Sequence, residues 1–218
     1  MPMRRLIDLS HEVEHGMITY KGLPAPIVCD YLSREASKKR YAEDTTFQMG
    51  KIEMIANTGT YVDAPFHRYD HGKDLSELPL ESLVDLDALV FHTEKRSNGP
   101  ELFGKADVKG RAVLVHSGWS RHWRTDQYFE GHPYLTEAAG LWLKEQGAAF
   151  VGIDSLNMDG TATGQRPVHT VLLGADIPIC EHLCNLEQLP DSGFRFHAAP
   201  VKVKGMGTFP VRAYAILC

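Results

Sequence analysis

Nowhere in this 218-residue sequence does an apolar run approach the length of a membrane span, and the N-terminus Met1-Pro2-Met3-Arg4-Arg5-Leu6-Ile7-Asp8 places a carboxylate where a signal peptide needs its apolar core. A cytoplasmic location is expected. Basic charge is also scarce, because 23 Lys and Arg are scattered among 28 Asp and Glu to give a formal charge of −5. That balance disfavours nucleic-acid and membrane partners and leaves a small molecule as the expected ligand. Cysteine is sparse. Cys29, Cys180, Cys184 and Cys218 offer a single C-x-x-x-C pair, which is neither a redox motif nor a standard zinc-finger spacing, so free and mostly buried thiols are expected. Internal repeats, low-complexity tracts and linkers are missing too.

What the sequence does contain is apolar residues, at 43%, and histidine, at 11 residues. The length suits one well-buried domain over residues 1–218 rather than two enzyme domains. Residues 5–10 alternate apolar and polar and predict a first strand, followed by a turn-rich connection that holds Gly16, Tyr20, Gly22, Pro24 and Pro26. Over residues 46–55 the apolar phase slips at Gly50-Lys51, which predicts a bulged strand leading into the next loop. Apolar runs at residues 88–91, 112–116, 149–153, 177–180, 194–203 and 211–217 predict the rest of a mixed sheet. Thr136 as cap, Ala139, Trp142 and Leu143 at helical spacing and Gly147 as terminator predict one clear helix. A further helical turn is expected from Glu181 to Leu189, stopped by Pro190. The fold class is α/β with a mixed β-sheet core.

The segment Asn57-Thr58-Gly59-Thr60-Tyr61-Val62-Asp63-Ala64-Pro65-Phe66-His67 gathers an amide, a phenol, a carboxylate and an imidazole around residues that bend the chain. Gly59 and Pro65 argue against a regular helix and for an irregular loop, and alternation would put Asn57, Tyr61, Asp63 and His67 on one side. Read alone, Asp63 and His67 fit a turn carboxylate and a solvated imidazole equally well. His169 opens the apolar segment at residues 170–174, and Glu181 directly follows the run at 177–180. A carboxylate there needs water or a partner, although a helix N-terminus would satisfy it without any metal. Asp154 reads as a loop-holding residue, Asp159 as a turn residue and His71 as surface.

Taken together, Asn57 to His67, Gly118-Trp119, Gly152-Ile153-Asp154, His169 and residues 177–181 resemble the cyclase family of metal-dependent hydrolases, which includes kynurenine formamidases and isatin hydrolase. The family pattern H-x-G-T-H-x-D-x-P-x-H is matched at Gly59, Thr60, Asp63, Pro65 and His67, and the resemblance runs from Asp8-Leu9-Ser10 to the C-terminal strand. It implies a compact domain of the swivelling β/β/α type, usually assembled as a homo-oligomer, a dimer or tetramer. By the same resemblance Asp63 is a metal-bridging carboxylate, His67 a proton-transferring imidazole, and His169 and Glu181 are ligands from the second half of the chain. Tyr20 falls near an aromatic pocket wall. The first two histidines of the pattern are replaced by Asn57 and Tyr61.

Those replacements remove two good transition-metal ligands, since an amide oxygen binds weakly and a phenol binds well only once deprotonated. The remaining set, Asp63, His169 and Glu181, still offers an open site for one divalent ion, Zn or Mn. The leading expectation is hydrolysis of an amide, formamide or cyclic amide by water activated on that ion, with His67 as proton shuttle and Tyr61 facing the oxyanion. Tyr20, Asn57, Phe66 and Trp119 are the candidate substrate contacts. Two alternatives stand beside it: a catalytically silent binding protein, and a metal-free isomerase or lyase using His67 and Tyr61.

Overall fold

The computed structural model describes residues 4–217. In chain order the strands are β1 (Arg5–Asp8), β2 (Ile27–Leu32), β3 (Met49–Glu53), β4 (Tyr61–Asp63), β5 (Leu86–His92), β6 (Ser97–Asn98), β7 (Ala112–His116), β8 (Tyr134–Leu135), β9 (Phe150–Ile153), β10 (Ile179–Glu181), β11 (Phe194–His197), β12 (Thr208–Pro210) and β13 (Tyr214–Leu217). The helices are α1 (Arg34–Ser37), α2 (Glu137–Glu145) and α3 (Pro167–Leu173). Nine strands form one sheet in the order β1-β13-β11-β5-β7-β9-β10-β4-β12. Its middle, β5-β7-β9-β10, is parallel, and antiparallel wings extend on both sides. The domain is α/β, as the composition pattern predicts.

The parallel strands read as near-continuous apolar runs because both faces are covered. Along β7, Val113 and Val115 face α2 and α3 together with Ala139, Leu143, Val168 and Leu172, while Ala112 and Leu114 face a second core with Val62, Phe150, Phe194 and Phe196. Burying side chains such as Leu143 contributes about 2 kcal/mol each, so the two layers supply most of the cohesion. Helix α2 begins where expected: the Thr136 hydroxyl accepts from Ala139 N, and Gly147 turns the chain at φ 74°.

Four expectations need correction. The segment 57–67 is not one irregular loop, because Tyr61–Asp63 is a strand inside the sheet and Pro65–His67 is a single 3₁₀ turn. The register shift lies at Tyr31 on β2, not at Gly50-Lys51 on β3; all of β3 is exposed, so its apolar phase did not report a buried face. Residues 181–189 form no continuous helix, because Glu181 ends β10 and only Leu186–Gln188 make a 3₁₀ turn. Strand β11 stops at His197, where the prediction ran to residue 203. Helix α3 went unpredicted, since Pro167 fixes its first turn but its seven residues are too few to display a period.

Strands β2 and β3 form a separate two-stranded arm that projects large apolar side chains into solvent, Tyr31 at 72% and Ile52 at 58% exposure among them. Among the described residues, no helix is long and apolar enough to cross a membrane.

Candidate metal centre

The sheet register assembles the site. β4 lies between β10 and β12, with Tyr61 opposite Glu181, and Asp63 opposite both Ile179 and Thr208. Residues two apart on a strand share a face, so Tyr61 and Asp63 both turn toward Glu181 and the first helical turn of α3, which carries His169. The Asp63, His169 and Glu181 side chains are all buried, and one ligand atom from each lies within 4.8 Å of the others. His169 Nε2 is 3.4 Å from Glu181 Oε1 and 3.6 Å from Asp63 Oδ2. Asp63 Oδ2 has no hydrogen-bond partner among the described residues.

Each ligand is oriented from behind. His169 Nδ1–H donates to Asp159 Oδ2 at 2.6 Å, and the same carboxylate accepts from the backbone N–H of Val168 at 2.8 Å and of His169 at 3.0 Å. Asp159 thereby holds both the start of α3 and the imidazole tautomer that turns Nε2 toward the two acids. Asp63 Oδ1 accepts from the Thr208 hydroxyl. Glu181 Oε1 accepts from Met158 N at 2.5 Å, while Oε2 is surrounded by Tyr61 Oη at 2.5 Å, Tyr20 Oη at 3.2 Å and Asn157 Nδ2 at 3.3 Å. Burial raises the Glu181 pKa to about 7. Burial works against the His169 imidazolium, yet the Glu181 charge and the Asp159 and Asp63 contacts outweigh it and bring that group to about 10.

This donor set fits a divalent ion. It supplies one imidazole nitrogen and two carboxylate oxygens, leaves a buried carboxylate oxygen unpartnered, and has a carboxylate behind the histidine. The neighbouring position, where the family pattern has imidazoles, does not fit one. Tyr61 donates to Glu181 and also meets Tyr20 Oη at 2.8 Å, while Tyr20 donates to Leu156 O at 2.6 Å. Burial holds both phenols protonated well above pH 10, so neither offers a phenolate. Two hydrogen-bonded phenols close that corner.

His67 lies on the solvent side of the centre, its side chain 36% exposed where that of Asp63 is buried. Thr208 has one hydroxyl proton and its oxygen contacts Asp63 Oδ1 and His67 Nδ1, the latter at 2.8 Å. The carboxylate only accepts, so Thr208 donates to it and accepts from His67 Nδ1–H. In that arrangement the acceptor nitrogen of the neutral ring is Nε2. Gly207 lets β12 come this close, because a Cβ there would lie 2.5 Å from His67 Cα.

The family model described as "Putative cyclase" matches residues 7–160, about two thirds of the chain. The chain belongs to this cyclase family. Kynurenine formamidase from Bacillus anthracis is 25% identical over 215 residues, covering 98% of each chain. Kynurenine formamidase from Geobacillus thermodenitrificans is 29% identical over 79% of this chain and 81% of that one. Isatin hydrolase A from Labrenzia aggregata superposes with a TM-score of 0.83 at 22% identity over 98% of this chain and 94% of that one.

Relative to the cyclase pattern, the structure brings Tyr20, Tyr61, Asp63, His67, His169 and Glu181 into one connected set. Asn57 is half-buried in the turn before Thr58, and Phe66 is 36% exposed on the Pro65–His67 turn. Trp119 is not among the contacts of this set: its indole N–H donates to Tyr128 O at 3.0 Å and its ring packs on His122. Trp123 instead packs against His182, which touches Tyr20 and Tyr61. Asp154 holds its loop as expected, accepting from Ser117 and Gly118. Sequence reasoning missed Asp159, Asn157 and Thr208. Only Asp159 left a signal, a carboxylate ten residues before a histidine, and it read as a turn.

Proposed function

We propose that the chain is a metal-dependent hydrolase of carbon–nitrogen bonds whose substrates are aryl formamides or cyclic amides. The observation that carries the reading is the convergence of Asp63 Oδ2, His169 Nε2 and Glu181 Oε1 in a buried, pre-oriented set. Support for the bond type comes from relatives that are kynurenine formamidases and from the fold shared with isatin hydrolase A. Asp63, His169 and Glu181 would hold one zinc or manganese ion, which supplies water of lowered pKa and polarises the substrate carbonyl.

The chain's own residues do the rest. Thr208 fixes the His67 tautomer, so Nε2 takes a proton from the attacking water and returns it to the leaving nitrogen. Asp159 and Thr208 hold the imidazole and carboxylate in place without any rearrangement during turnover. Tyr61 and Asn157 donate to Glu181 Oε2, with Tyr20 Oη packed 3.2 Å away, and leave Oε1 as the ligand atom. With its hydroxyl directed to Glu181, Tyr61 acts as a positioning residue rather than an oxyanion donor or an acid.

The test is elemental analysis of protein purified without chelator, coupled to hydrolysis of N-formylaniline derivatives and isatin. About one metal equivalent with turnover lost in Asp63→Asn is expected. Metal-free protein that such amides stabilise without being hydrolysed would assign it to the silent binding members instead. The arm's apolar side chains, Ile27, Val28, Tyr31, Met49 and Ile52 among them, expose several hundred Å², approaching the roughly 800 Å² per partner of a stable interface. We assign that area to a second copy of this chain; a monomeric mass in light scattering would refute it. The buried free thiols Cys180 and Cys184 suit the reducing cytoplasm.

A further inference from the structure

A second group of nitrogen donors stands at the carboxyl end of the sheet, outside the centre described above. β5 and β7 are parallel neighbours whose register pairs His92 with His116 at their last residues, so the two side chains leave adjacent strands on the same face. Their Nδ1 atoms lie 2.9 Å apart. Behind the pair, each ring's other nitrogen faces a carboxylate: His92 Nε2 donates to Asp191 Oδ1 at 3.0 Å, and His116 Nε2 is 3.9 Å from Asp154 Oδ2. Asp154 is itself fixed by Ser117 N at 2.8 Å, Ser117 Oγ at 2.6 Å and Gly118 N at 2.7 Å. A carboxylate behind an imidazole is what orients a metal-binding histidine; Asp191 does this for His92 directly, while Asp154 lies on the same side of His116 but beyond hydrogen-bond reach. The side chains are 49% and 18% exposed, so an ion in solution can reach them. A crevice of about 330 Å³, lined by His92, Glu94, His116 and Arg121, lies against the pair.

We propose that His92 and His116 form a second, surface site for a divalent ion of the nickel or copper type. Two imidazole nitrogens bound at about 2.1 Å sit about 3.0 Å apart when they are cis in octahedral or square-planar geometry, and about 3.4 Å apart in a tetrahedron. The 2.9 Å separation is that of an N–H···N hydrogen bond in the metal-free pair and lies close to the cis spacing, so both nitrogens are already near the places an ion requires. The ion takes the place of the one proton that the two Nδ1 atoms share; that proton moves through solvent to His116 Nε2, so both rings bind as neutral imidazoles. Water fills the remaining positions, with Glu94 the one carboxylate lining the crevice.

The experiment uses untagged protein carrying His169→Ala, which removes the nitrogen ligand of the buried centre, and titrates it with nickel chloride by calorimetry. One saturable equivalent is expected, weakened at least tenfold by His92→Ala and by His116→Ala separately. His92→Gln and His116→Gln serve where the alanine variants melt early. No saturable nickel binding in the His169→Ala protein, or binding unchanged in either histidine variant, overturns the proposal. Because the readout is nickel stoichiometry with the buried centre disabled, it stands apart from whether the protein hydrolyses amides.

Discussion

On the Asp63 side of the centre a buried carboxylate oxygen and an imidazole nitrogen face each other at 3.6 Å without a hydrogen bond, whereas on the Tyr61 side each hydroxyl is engaged within 2.8 Å. The first arrangement directs the ligand atoms at a common point, where a bound ion would take the place of the His169 Nε2 proton; the second satisfies its polar atoms internally. The protonation states differ as well. His169 is held charged by its acidic neighbours, while His182, packed behind Tyr20 and Tyr61, is held neutral by burial, as is the nearby His11. At the position where the family pattern has an imidazole, Tyr61 joins Tyr20 in a buried pair whose hydroxyls are engaged by Glu181 and Leu156 O, so that corner is satisfied without an ion.

The severest way to break the contrast is to remove a ligand: His169→Ala or Asp63→Asn should cost ~10³-fold or more in amide hydrolysis and the bound metal with it, measured by kcat and elemental content. Asp159→Asn keeps the ligands but loosens the imidazole, so metal affinity should fall ~10–100-fold in a competitive chelator titration, with the fold retained by circular dichroism. Restoring imidazoles with Asn57→His and Tyr61→His together should raise the metal content from about one equivalent to about two; an unchanged content would show that Tyr61 is not what closes the second position.

Acid should attack the phenol side first. Burial, followed by the charge of Arg124, lowers His11 from 6.5 to about 4. The folded state therefore binds fewer protons than the unfolded state between those values. Its stabilising contribution is complete above pH 6.5 and declines as pH falls toward 4, by on the order of 2 kcal/mol in denaturant melts. His182, lowered well below 6.5, adds in the same direction. The mildest change is Tyr61→Phe, which deletes one hydrogen bond to Glu181 and should reduce stability by about 1 kcal/mol while hydrolysis changes only a few-fold.

Much of this was legible in the sequence because the relevant signals are local. The motif at residues 57–67, the helix after Thr136 and the apolar runs of β5, β7 and β9 each declare themselves within about ten residues. Asp63, His169 and Glu181 were named from their place beside apolar runs and from the family pattern. What stayed hidden depends on distance along the chain. Thr208 meets Asp63 across 145 residues, and Tyr61 meets Glu181 across 120, so no spacing rule records either contact. Trp119 and Trp123 lie four residues apart in a turn-rich stretch, and only the left-handed Gly118 and the turns that follow decide which indole reaches His182.

Strand β12 ties the centre to the rim of the sheet. It is the end strand on its side and is paired with β4, so its docking rests on one ladder and on the contacts of the Thr208 hydroxyl with Asp63 and His67. Local opening of that rim would release the carboxylate and the His67 ring together, while the Asp159–His169 pair on α3 stayed in place.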